Sequence, residues 1–511
     1  MASPSRRQRR SAYQTLPERL GAGSPLASVA GGVRRRLTLR RAIALLAALL
    51  IAVSGVFVTR VILALSHTFH ESPFAVAKDL LPGGHSGSRV EQMRRDLARI
   101  NLALYGYGSA GHDGAFLADS IMVVSIQPQP TGPPQIAEIS LPRDLVVPID
   151  LGSGRTVFDR VNTTYASGQT GFPYRSAAYS GDQGGGGLAD ATLERVLGIH
   201  IDYFVGVDFE AFKAAVDAVG GIDVDVPDSF SDRMYPHGEC DNGHGDCAYM
   251  RIHFDKGPQH MDGARALIFA RSRESYDNPA EASNFARNRR QQLVLTAVKQ
   301  KVLSVGGFRD LPGLLDALGD HVITNVPFDD ALSLYDLVKD VNNASIEHLS
   351  IDDSNFVHEC GRSCDASVEY PDDRTLATLH HFVAHVFPPP AAAAEHAGIT
   401  VVDGSGRGQG AATRWSTLLS ALGLSAADGG GGRLSTHTQV IDRSGGRDAQ
   451  TARWLADFFG VTVTQSAAPG TSGAPTSGDV AVSSGGVLVV LGQDEERAFN
   501  NPSSGVYAAN Q

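Results

Sequence analysis

The chain has 511 residues and a formal charge of −11; its first 41 residues carry +9, which leaves residues 42–511 at −20. An acidic body of this size argues against nucleic acid as a partner and is long enough for two or three domains with a sizeable core.

In chain order, residues 1–41 form a basic arm with ten arginines and one acid, Glu18, expected to be unstructured. Ala42 to Thr59 are eighteen residues without a charge, followed by Arg60 and the apolar run Val61–Leu65. At about 1.5 Å per helical residue this crosses a hydrocarbon core, with Arg60 placed to snorkel on the far side. The basic flank places the arm in the cytoplasm. Residues 42–65 are therefore read as a single-pass signal anchor in the cell membrane, with everything after Leu65 outside. The length of the run and the lack of a small-x-small site after it argue against a cleaved signal peptide. Residues 66–95 read as a stalk rich in Gly, Ser and His.

Residues 96–387 read as one folded domain of alternating strands and helices. Strands are expected at Asn101–Tyr105, Ile121–Ile126, Gln135–Ser140, Tyr203–Val207 and Ile222–Val226, the last ended by Pro227. Helices are expected at Leu188–Leu197, stopped by Gly198, and at Phe209–Val219, closed by Gly220-Gly221. The alternation predicts a layered α/β domain with helices on both faces of a sheet. Pro388-Pro389-Pro390 and four alanines open a stiff spacer over 388–397. A smaller α/β unit comes next at 398–492, with strands at Ile399–Val402, Thr438–Ile441, Val461–Val463 and Val487–Leu491 and helices at Ala411–Leu422 and Ala449–Phe459. Within it Ala467–Gly478 is low in complexity, and 493–511 is a tail. Its Gly404-Ser-Gly406-Arg-Gly408-Gln-Gly410 segment reads as a tight strand-to-helix turn, because no acid lies about twenty residues on in a segment expected as a suitable strand to complete a dinucleotide site.

Five arginines fall within twenty residues of this otherwise acidic body: Arg271, Arg273, Arg287, Arg289 and Arg290. Arg271 and Arg273 end the apolar run Ala266–Ala270, and at strand spacing they share a face. Arg287, Arg290 and Gln291 stand at i, i+3 and i+4 near the start of a helix expected to be capped by Ser283, and share a face as well. Grouped guanidinium groups at a helix N-terminus suit phosphate or pyrophosphate. The alternative is a solvated, salt-bridged surface, for which only Glu274, Asp277 and Glu281 are at hand as partners.

The order of short motifs is more specific than any of them alone. Leu117-Ala118-Asp119-Ser120 opens a strand and Ser140-Leu141-Pro142-Arg143-Asp144 closes the next. Arg160-Val161-Asn162-Thr163-Thr164-Tyr165 and Asp217-Ala218-Val219-Gly220-Gly221 come after these, then Met261-Asp262-Gly263, Arg271-Ser272-Arg273 and Phe285-Ala286-Arg287-Asn288-Arg289-Arg290-Gln291. Over about residues 97–303 this series resembles the LytR–CpsA–Psr family of cell-envelope proteins, and 398–492 resembles the C-terminal domain of its LytR-type members.

The resemblance implies an α/β fold with a central mixed sheet flanked by helices and an apolar tunnel for a lipid. It implies a phosphotransferase that moves a glycopolymer from a polyprenyl-pyrophosphate carrier to peptidoglycan, using Mg²⁺ or Mn²⁺. Carried over by residue, Arg143, Arg287, Arg290 and Gln291 would hold the pyrophosphate, with Arg271 and Arg273 beside them, and Asp119 the metal. The chemistry is consistent, because pyrophosphate cleavage spreads charge that arginines and a hard cation stabilise. Asp144 would either orient Arg143 or deprotonate the acceptor hydroxyl.

Two departures stand out. Where the family has Gly-x-Asp, supplying a second metal carboxylate, this chain has Gly106-Tyr107-Gly108, and Leu117 replaces an arginine. His112 or Asp113 could rebuild the metal site, unless their loop is a plain Gly-rich turn. Asn284 also stands where an aspartate often does. The cysteine pairs Cys240/Cys247 and Cys360/Cys364 read as disulfides of an exported domain, with zinc held by His237, Cys240, His244 and Cys247 as the rival. Hydrolysis of polyprenyl-pyrophosphate lipids, and a non-enzymatic lipid- or wall-binding regulator, are the alternative functions.

Overall fold

The computed structural model describes residues 58–494 except 82, 109–113, 177, 180–183, 237–248, 283, 305–320, 342–345, 353–354, 360–367, 407–409 and 466–485. All four cysteines, His112, Asp113, Ser283 and most of the expected anchor lie outside the described residues, as do the expectations that rest on them. Among the described residues no helix is long and apolar enough to cross a membrane.

A six-stranded mixed sheet runs in the spatial order Val322–Thr324, Tyr203–Asp208, Ile100–Tyr107, Ala118–Gln127, Gln135–Leu141, Ile346–Ser350. The three strands in its middle form antiparallel pairs, and Tyr203–Asp208 and Ile346–Ser350 join them in parallel. Alternation along each strand sends one set of side chains to each face. Ala103, Tyr105, Ile121, Val123 and Ile139 pack on one face against the helix Gly184–Leu197 through Leu188 and Leu193. Ile100, Ile126, Ile136 and Tyr203 occupy the other face with Val90 and Val326. Gly206 sits in the sheet because the Tyr165 hydroxyl would lie 2.2 Å from any Cβ placed there.

A second layer is built from the helices Phe209–Ala218, Gly263–Arg271 and Asn284–Ser304 around Phe230, Phe254, Phe269 and Val294. One expected strand is corrected here. Ala266–Ala270 is helical: Asp262 caps the helix by accepting from Arg265 N at 2.8 Å, and Ala266, Phe269 and Ala270 turn inward together. Those three stand at i, i+3 and i+4, a helical period that outweighs the apolar run. Arg271 ends the helix and Arg273 lies beyond it, so the pair does not share a strand face.

Residues 66–95, expected as a stalk, are fastened to the body. Val90 N donates to Asp330 Oδ1 at 2.8 Å, and the Ser88 and Ser333 hydroxyls are 2.8 Å apart. The expected spacer is likewise packed. Pro390–Ala394 is a short helix whose Ala392 is buried, and the Glu395 carboxylate accepts from Gln450 N and Thr451 N. Beyond it a five-stranded sheet is ordered Ser425–Gly431, Gly398–Asp403, Val487–Leu491, Gln439–Asp442, Val463–Gln465. Its edge strand Ser-Ala-Ala-Asp-Gly-Gly-Gly has no strand preference of its own and forms by pairing with Gly398–Asp403.

One apolar cluster runs unbroken from the first sheet into the second. Phe458 is at its junction, with ring centroids 6.2 Å from Phe382, 5.5 Å from Trp415 and 5.1 Å from Trp454. Phe458→Ala is expected to cost about 3–5 kcal/mol and to lower the unfolding temperature of both sheets together in a calorimetric scan. A shift confined to a separate transition of the C-terminal sheet would contradict a shared core.

Candidate active site

Between the six-stranded sheet and the second layer lies a cavity of about 190 Å³, walled by Leu104 and Met122 from the sheet and by Phe212, Leu267, Val294 and Leu295 from the helices. Its polar rim carries Asp119, Ser120, Asp208, Arg271 and Gln291. The sheet supplies Asp119 and Ser120 at the start of Ala118–Gln127, where a register shift at Gly106/Tyr107 loosens the pairing with the neighbouring strand.

Arg143, just past the end of Gln135–Leu141, donates from Nη1 to Asp119 Oδ1 at 2.5 Å and from Nε to Asp144 Oδ2 at 3.1 Å. Burial alone would depress its pKa, yet the charges of Asp119 and Asp144 outweigh that and raise it. Asp144 is itself buried, and its other oxygen lies 3.7 Å from Arg160 Nη1. Among the described residues Asp119 is engaged by Arg143 alone and is about one-third exposed at the rim.

Arg287 is in the opposite condition. It is 4% exposed, and its Nε has no hydrogen-bond partner among the described residues. Burial, then repulsion from Arg143, pulls its pKa down to about 10, with Arg273 adding to the repulsion and Asp119 and Asp144 opposing it. Holding a guanidinium out of water with an unmatched N–H is costly, and an anion placed between Arg287, Arg143 and Arg273 would offset that cost. Arg271 is held by the rings of Phe209 and Tyr235, at 4.1 and 5.6 Å, and donates to the Tyr235 hydroxyl at 3.3 Å. Gln291 accepts from the Ser120 hydroxyl at 3.0 Å.

A model described as the LytR_cpsA_psr family matches residues 78–373, more than half of the chain. The chain belongs to the LytR–CpsA–Psr family. It is 28% identical over 267 residues to the polyisoprenyl-teichoic acid–peptidoglycan teichoic acid transferase TagV of Bacillus subtilis (strain 168), covering 52% of this chain and 59% of that protein. It is 28% identical over 289 residues to the transferase TagU of Bacillus mycoides (strain KBAB4), covering 57% of this chain and 78% of that one. The crystal structure of B. subtilis TagV superposes with a TM-score of 0.41 at 24% identity, over 56% of this chain and 95% of that one. Residues 398–492 lie outside the family match.

In this family member Asp119, Arg271 and Gln291 line the cavity, Arg143 is bonded to Asp119, and Arg287 lies close enough to Arg143 and Arg273 to feel their charge. Arg290 stands apart from them. It is fully buried, ion-paired with Glu281, and donates from Nε to Phe269 O at 3.1 Å and from Nη2 to Ser272 O, beneath the Phe230 ring at 4.7 Å. Its reading as a pyrophosphate ligand is corrected: every face of this guanidinium is spent inside the protein. Glu281, which also pairs with Arg289, was among the few acids at hand in the sequence.

Residues with no local sequence signal complete the site. Asp232 is buried, accepts from the Ser272 hydroxyl at 2.7 Å and from Glu274 N at 3.3 Å, and so holds the segment that carries Arg271 and Arg273. Asp208 lines the cavity, but its carboxylate caps the helix Phe209–Ala218 and contacts His321 at 2.6 Å. Among the described residues no group of three His, Cys, Asp or Glu could hold a metal ion. Asp119 has one oxygen turned to Arg143 and the other unengaged by the described residues, which would leave that one oxygen to a hard cation expected there.

The two buried arginines should separate in unfolding experiments. Arg290→Met leaves Glu281 and two carbonyls short of a partner and is expected to cost about 3–5 kcal/mol. Arg287→Met removes a buried charge whose Nε is unmatched by any described residue, so its unfolding temperature should stay level or rise.

Proposed function

We propose that this chain transfers a glycopolymer from a polyprenyl-pyrophosphate carrier to a hydroxyl of peptidoglycan, joining them by a phosphodiester. The observation that carries this reading is Arg287: a buried guanidinium with an unsatisfied Nε, within reach of the charges of Arg143 and Arg273, one helical turn before Gln291, which lines an apolar cavity. The names of TagU and TagV, which describe transfer of polyisoprenyl-linked teichoic acid to peptidoglycan, agree with it. In this reading the cavity is the near end of a lipid tunnel, residues 42–65 anchor the chain in the cell membrane, and the folded body works outside it.

Each role derives from where the side chain stands. Arg287, Arg143 and Arg273 take the diphosphate oxygens, and Arg271 and Gln291 border them at the cavity rim. The acceptor oxygen bonds to the polymer-side phosphorus while the bridging P–O bond breaks, and polyprenyl phosphate leaves with the electron pair. The acceptor's proton passes to water at the mouth. Charge builds on the leaving phosphate, where fixed guanidinium groups contribute most. Mg²⁺ or Mn²⁺ bound at Asp119 would supply further neutralisation of the diphosphate. Asp144, buried between Arg143 and Arg160, is better suited to orienting Arg143 than to acting as a base.

Arg287→Ala is expected to lower binding of a polyprenyl pyrophosphate by the purified full-length protein more than about tenfold, as for loss of a charge-assisted contact. Asp119→Ala should abolish turnover with Mg²⁺ or Mn²⁺ while leaving most of that binding. Transfer is read as polymer joined to peptidoglycan, whereas free phosphorylated polymer would identify a hydrolase. Lipid binding without turnover of any product would identify a regulator.

A further inference from the structure

We propose that the helix Pro73–Asp79 and the two residues after it rest in the outer surface of the membrane, with Phe74, Leu80 and Leu81 among the lipids and Lys78 at the headgroup phosphates. This rests on the reading of residues 42–65 as an anchor.

Phe74 is 83% exposed, Leu81 62% and Leu80 46%, a concentration of bare apolar side chains in one short stretch. Val76 and Asp79 are buried on the opposite side, where the helix meets the body. Phe74 and Lys78 stand at i and i+4 on the outward face of the helix, and Leu80 and Leu81 are exposed just past its end. Large apolar side chains flanking a lysine make the pattern of an interfacial helix, in which the lysine reaches for phosphate while its stem lies in hydrocarbon.

Chain length names the occupant. Phe74 stands only nine positions beyond Leu65, at most about 30 Å of fully extended chain, and residues 61–68 are helical, which shortens it. A bilayer that receives the anchor is therefore within reach of this face. The segment is also pinned to the body rather than hanging from it. The Glu71 carboxylate accepts from Phe328 N at 2.8 Å, the Phe69 and Phe328 rings pack edge-on at 5.1 Å, and His85 Nε2 lies 3.1 Å from Asp336 Oδ2. A lipid-seated helix clamped in this way would hold the whole body at one height above the membrane, instead of leaving it on a loose tether.

The test uses full-length Phe74→Trp and Phe172→Trp proteins in phosphatidylcholine–phosphatidylglycerol vesicles. Phe172 is 76% exposed elsewhere on the body and serves as the control, and the native Trp415 and Trp454 are buried. Sodium carbonate extraction reports the anchor separately. The expected result is a protein that resists carbonate. The indole added by Phe74→Trp should then emit at shorter wavelength and be quenched by brominated lipid, and the one added by Phe172→Trp should be quenched only by aqueous iodide. Carbonate resistance, with the Phe74→Trp indole open to iodide and untouched by brominated lipid, would overturn the proposal and leave the anchor standing. Release by carbonate would overturn the anchor, and this proposal with it.

Discussion

The ion pair of Arg290 with Glu281 lies where three separate stretches of chain meet: the end of the helix Gly263–Arg271, the turn at Pro279–Glu281 and the helix Asn284–Ser304. One fully buried guanidinium binds a carboxylate from one stretch and two carbonyls from another while lying under Phe230. A buried charge without such partners would be too costly to keep, so these stretches can close only in one arrangement. That arrangement carries Arg271 and Arg273 on one side and Arg287, a turn earlier on the same helix, on the other. Asp232 reinforces it by holding Ser272 and Glu274.

Set against this satisfied knot, Arg287 is conspicuous for what it lacks. Two arginines on successive positions of one helix face meet opposite fates, one paired on every side and one buried with its Nε unmatched by any described residue. The difference is stored electrostatic work. Arg143, tied to Asp119 and Asp144, is held where its charge faces Arg287. The apolar cavity beside it adds a low-dielectric wall, which strengthens every charge interaction at the mouth.

Much of this was legible in the sequence. The strands around Asn101–Tyr105, Ile121–Ile126 and Gln135–Ser140 are apolar enough along their length that the sheet could be expected, and the Gly220-Gly221 stop closes the helix before it near the expected place. The ordered motifs also brought Asp119, Arg143 and Arg287 together across distant segments. Ala266–Ala270 misled, because five consecutive apolar residues satisfy a buried strand and a buried helix equally until the cap at Asp262 and the facing layer decide. Residues 66–95, read as a stalk, and 388–397, read as a stiff spacer, both pack against the body, which their composition does not announce.

The linear chain settles the inventory and its local order: an uncharged run beside a basic arm, a guanidinium cluster in an acidic body, and the periodicities of most of the strands and helices. These are properties of neighbours, and neighbours are what a linear chain specifies. Folding decides which arginine is paired on every side and which keeps an unmatched Nε, because that depends on whether Glu281, Phe269 and Ser272 reach a given guanidinium. Folding also turns Asp144 inward and Asp119 outward, a matter of burial that two carboxylates of similar sequence surroundings cannot announce.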